Sequence, residues 1–64
     1  MLTSSRAIIQ RLLADGWVLK RVRGSHHIFS LAANNNRIVV PHPKKDLATG
    51  LVRQIYKIAG WPFD

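Results

Sequence analysis

Trp17-Val18-Leu19-Lys20-Arg21-Val22-Arg23, then Gly24-Ser25, then His26-His27-Ile28-Phe29-Ser30-Leu31 is the stretch that decides the fold. It sets two runs of β-forming residues either side of two turn residues, the pattern of an antiparallel hairpin. Glycine at the first central position suits a type II′ turn. The first run alternates poorly, since a strict period of two puts Trp17 and Leu19 on one face with Arg21, and Val18 and Val22 on the other with Lys20. In the return run, His26 shares a face with Ile28 and Ser30, while His27 shares the more apolar face with Phe29 and Leu31. The two histidines therefore point to opposite sides of the sheet and do not form a metal-binding pair.

Upstream of this hairpin, Ile8, Ile9, Leu12 and Leu13 recur at helical spacing behind Ser4 or Ser5, either of which serves as N-cap, and Asp15-Gly16 stops the run. This predicts a helix over 5–14. Downstream, Asn34 to Asn36 makes a second turn, and Arg37-Ile38-Val39-Val40 forms a third strand terminated by Pro41 and Pro43. Leu47, Leu51, Ile55 and Ile58, with Val52 and Ala59, mark one face of a second helix capped at Asp46 or Thr49 and closed by Gly60. The expected architecture is a single α+β domain over residues 1–64, of order α-β-β-β-α, with two helices on one face of a three-stranded antiparallel sheet.

Composition bounds the function. Ten Lys and Arg stand against three Asp and Glu in 64 residues, a net charge of +7. Forty-seven per cent of the residues are hydrophobic, enough to build a core rather than a disordered basic tail. A domain this small buries only about 60% of its unfolded surface, so its stability is modest. No cysteine is present, which excludes disulfides, thiolate catalysis and Cys-ligated zinc, and agrees with a reducing, cytoplasmic location. The longest apolar run, Ile38 to Pro41, is far short of a membrane span, and the N-terminal residues lack the apolar region of a signal peptide.

Asp15, Asp46 and Asp64 are the only carboxylates, too few for a two-metal phosphodiesterase centre, and no metal or other cofactor is expected. The charge excess points to a polyanion, with nucleic acid ahead of an acidic protein. Histidine is the side chain that ordinarily exchanges a proton between pH 5 and 8, so acid/base chemistry is sought at His26, His27 and His42. His26 follows the turn directly and is the better exposed candidate. Lys20, Arg21 and Arg23 just upstream, and Lys44 and Lys45 downstream, are candidate phosphate contacts, with backbone N–H groups of Gly24 and Ser25 beside them. His42, between Pro41 and Pro43, reads as a connector residue before a second acid/base group. Trp17 and Trp61 read as core-edge packing before base-stacking platforms.

Taken together, Gly24-Ser25-His26-His27-Ile28-Phe29, Val40-Pro41-His42-Pro43 and Gly50-Leu51-Val52-Arg53-Gln54-Ile55 resemble the HicA family of mRNA interferase toxins, as does Asp15-Gly16-Trp17 after the first helix. The resemblance runs from about Ser4 to Gly60. It implies a fold like that of double-stranded RNA-binding domains, the order already reached from the residues. It also implies a ribosome-independent endoribonuclease that cleaves mRNA and tmRNA, arrests translation and growth, and is neutralised by a HicB-type antitoxin protein; with no metal expected from the residues, the cleavage is expected to be metal-independent. The family's catalytic histidine falls on His26, with Gly24 and Ser25 matching the residues before it. The Asn34 to Asn36 turn and the Trp61-Pro62-Phe63-Asp64 tail depart from the family pattern. The alternative reading from another class is a non-catalytic RNA-binding module.

Overall fold

The computed structural model describes residues 1–32 and 35–63. Its elements are α1 (Ser5–Ala14), β1 (Val18–Arg23), β2 (His26–Ser30), β3 (Arg37–Pro41) and α2 (Thr49–Ala59). The order is the expected α-β-β-β-α. The strands form one antiparallel sheet in the order β1-β2-β3.

Ser4, not Ser5, caps α1, its side chain accepting the Ala7 N–H at 3.1 Å. The hydroxyl of Ser5 is thereby left to bond outside the helix. Ile8 and Leu12 of α1 are fully buried against Phe29, Ile38 and Val40 of the sheet and Val52, Ile55 and Tyr56 of α2. Alternation selects that face: Phe29 pairs with Ile38 and His27 with Val40 across β2 and β3, and the helices cover this side. The α2 boundary differs from the sequence expectation of a cap at Asp46 or Thr49. The N-cap is Ala48, without a side-chain hydrogen bond. Leu47 precedes the helix, buried in the core, and its N–H donates to the Thr3 carbonyl at 2.8 Å. Tertiary anchoring of Leu47, rather than a polar cap, sets where α2 begins. Gly60 closes α2 at a φ of 77°, as its residue type suggests.

The poor alternation of the first strand has a structural cause. Leu19 pairs with Phe29 and Arg21 with Ile28, so Lys20 is an extra residue, a β-bulge, opposite a single step of β2. The bulge resets the period, placing Leu19 and Val22 on the helix side and Arg21 and Arg23 on the open side. Both helices lie against β3, so β1 stays exposed along its length.

At the chain's other end, Trp61 belongs to the core. Its indole N–H donates to the Asp15 carboxylate, its ring meets Tyr56 edge-on at 5.1 Å, and the Arg11 guanidinium lies 4.4 Å above it. Tyr56 is fully buried, and its hydroxyl accepts the Leu2 N–H at 2.7 Å. Trp17 and Trp61 are 4% and 6% exposed and are packing residues, as expected. The expected turn at Asn34 to Asn36 falls partly outside the described residues. Trp61→Phe keeps an aromatic ring but removes the hydrogen bond to Asp15, a loss of about 1 kcal/mol. The expected outcome is a thermal midpoint lower by about 4–8 °C, read by circular dichroism.

Candidate nucleic-acid interface

The side of the sheet away from the helices gathers basic residues. With the bulge in place, Arg23 lies directly opposite His26, Arg21 opposite Ile28, and Arg37 opposite Ser30. Lys20, Arg21 and Arg37 line a cleft of about 450 Å³ floored by Ile28 and Ser30. His26, Arg21 and Arg23 are all exposed. Guanidinium groups bind phosphate through paired N–H donors, and an imidazole beside them can take or give a proton. Arg37 was not among the phosphate contacts expected from sequence. Only the β2–β3 register, which brings it across from Ser30, reveals its membership of this face.

The turn that carries His26 is fixed from both ends. Gly24 has a φ of 58°, and among the described residues only glycines adopt positive φ, in keeping with the expected type II′ turn. The Ser25 carbonyl accepts the His42 backbone N–H at 2.7 Å and lies 3.3 Å from His27 Nδ1. Because a carbonyl only accepts, His27 carries its proton on Nδ1 in that contact. His27 is half-buried on the helix side, its ring edge-on to that of His42 with centroids 5.0 Å apart. His26 and His27 thus occupy opposite faces, as strand alternation requires.

His42 is more than a connector. Its Nδ1 lies 2.6 Å from the hydroxyl of Ser5, which is 1% exposed. The same hydroxyl accepts the Lys44 N–H at 2.8 Å and lies 3.1 Å from the Lys44 carbonyl, which in turn accepts the Ser5 N–H at 2.9 Å. Lys44 and Lys45 therefore sit beside the start of α1 rather than on the open sheet face. They line a cleft of about 580 Å³ together with Ser4, Ser5, Arg6, His42 and Pro43. The structure divides the basic residues expected from sequence into two sets. Lys20, Arg21 and Arg23 accompany His26, while Lys44 and Lys45 accompany His42 on the helix side of the turn.

The fold and its charge define a small basic α+β domain like the double-stranded RNA-binding domains, its open sheet face carrying a histidine among arginines. The family model described as HicA toxin of bacterial toxin-antitoxin systems matches residues 5–61, and the chain belongs to the HicA toxin family. The match reaches Trp61, the residue that closes the core beside Tyr56. No curated protein matches the chain. Among the described residues, no helix is long and apolar enough to cross a membrane.

Gly24 offers a test of the turn. A Cβ there meets nothing within 4 Å, so substitution strains only the backbone. Gly24→Ala is expected to cost about 1–3 kcal/mol, the penalty of an L-residue held in the sparsely populated region of positive φ. Gly24→Asn should cost less, since Asn visits that region more readily. Thermal denaturation of the three proteins checks the order.

Proposed function

We propose that this chain is a metal-independent endoribonuclease that cleaves mRNA and tmRNA, arrests translation and growth in the bacterial cytoplasm, and is held inactive by a HicB-type antitoxin protein. Membership of the HicA toxin family carries the reading. The exposed position of His26 opposite Arg23 on the open sheet face supports it. In this reading His26 takes the proton of an RNA 2′-hydroxyl, whose oxygen attacks the adjacent phosphorus. The bond from phosphorus to the 5′-oxygen breaks, that oxygen takes a proton from water, and the products are a 2′,3′-cyclic phosphate and a 5′-hydroxyl. Arg21, Arg23 and Lys20, with the backbone N–H groups of Gly24 and Ser25, meet the charge that develops on the phosphoryl oxygens. Lys44 and Lys45 contact phosphates farther along the strand. DNA lacks the attacking hydroxyl and is spared.

The test is incubation of the purified protein with a long single-stranded RNA, or the matching DNA, in EDTA. RNA alone is expected to be cut, and His26→Ala is expected to lose about 100-fold or more of the rate, the usual contribution of a positioned acid or base. A His26→Ala protein with an unchanged circular dichroism spectrum and full cleavage would remove His26 from the mechanism.

A further inference from the structure

Two basic clefts lie on opposite sides of the sheet. The open-face cleft holds Lys20, Arg21 and Arg37, and Arg23 and His26 continue that face to the Gly24-Ser25 end. The other cleft, lined by Arg6, His42, Lys44 and Lys45 among others, has no carboxylate in its lining among the described residues and lies on the helix side. His42 joins the two, because its backbone N–H is bonded to Ser25 while its ring turns toward His27 and Ser5 on the helix side. With Nδ1 held against the buried Ser5 hydroxyl, the ring is fixed in place at the cleft wall.

We propose that the second cleft is a phosphate subsite for the same RNA, and that the substrate is a single strand bent over the Gly24-Ser25 end of the hairpin. One phosphate lies on the open face beside His26, and a phosphate farther along the strand lies in the cleft, against Arg6, His42, Lys44 and Lys45. A stiff A-form duplex cannot follow a path from one face of the sheet around its end to the other. The fold resembles a duplex-binding domain, yet the placement of its cations selects a flexible strand. Arg6, far from the hairpin in sequence, becomes a substrate-binding residue on this reading. The inference rests on RNA being the ligand, but it concerns binding and is tested apart from cleavage.

The probe is a 2′-O-methyl RNA, which has no free 2′-hydroxyl and is not cleaved, offered as a single strand and as a duplex of the same sequence. Affinities are measured across a salt series for the wild-type chain, Arg6→Gln, and Arg53→Gln as a control on the exposed part of α2. On charge density alone the duplex would bind more tightly. The expected result is several-fold tighter binding of the single strand, and a salt slope flattened by about 0.7 in Arg6→Gln, because one fewer phosphate is neutralised. In parallel, unmodified single-stranded RNA is expected to show a raised KM with kcat retained in Arg6→Gln. Equal or tighter duplex binding overturns the bent-strand path. An Arg6→Gln slope no different from that of Arg53→Gln overturns the subsite, as does failure of the wild-type chain to bind either RNA. Binding without any cleavage would count against the ribonuclease reading, while the affinities would still decide the subsite.

Discussion

The hydroxyl of Ser5 is the fastening on which this small structure depends. Ser5 is only 1% exposed; its hydroxyl meets His42 Nδ1 and accepts the Lys44 N–H, and its backbone N–H donates to the Lys44 carbonyl. One side chain thus ties the first turn of α1 to the connector that follows β3. A polar group buried this deeply costs stability unless its hydrogen bonds are made, so the geometry around it is tightly specified. From that fixed point His42 reaches back to the Ser25 carbonyl and holds the hairpin turn. The turn that carries the catalytic candidate His26 is thereby tied, through His42, to the start of α1.

Much of this architecture could be read from the residues. Helical spacing and the Asp15-Gly16 stop located α1, and Gly24-Ser25 located the turn. The alternation that failed in the first strand was itself informative, since the misfit between Leu19 and Arg21 marks the bulge at Lys20. Other features leave no local trace. Ala48 caps α2 without a side-chain bond, so nothing in its residue type announces a helix start. Ser5 and His42 are 37 positions apart, and their contact exists only through the tertiary fold. The basic residues were legible as a set. Their division between two faces required the strand register and the path of the connector.

The same division gives meaning to the scarcity of carboxylates. Asp15, one of three in the chain, is held by the Trp61 indole, and among the described residues neither basic cleft includes an acidic residue in its lining. Solvent screening limits the reach of the cleft cations to about 8 Å at physiological ionic strength, so each cleft acts on charge brought close to it. The shape of the domain, as well as its net charge of +7, governs which polyanions satisfy it.

The bulge at Lys20 also protects the molecule from itself. β1 is an outer strand whose far edge pairs with no other strand among the described residues, and Leu19 and Val22 are 43% and 50% exposed along it. A straight strand with these residues would be a template on which a second chain could add, the usual route to edge-to-edge aggregation. The extra residue interrupts the regular spacing of N–H and C=O groups, and Lys20, Arg21 and Arg23 set like charges against any identical strand that approaches. The irregularity that turns the arginines toward the open face also keeps a sticky edge from growing a fibre.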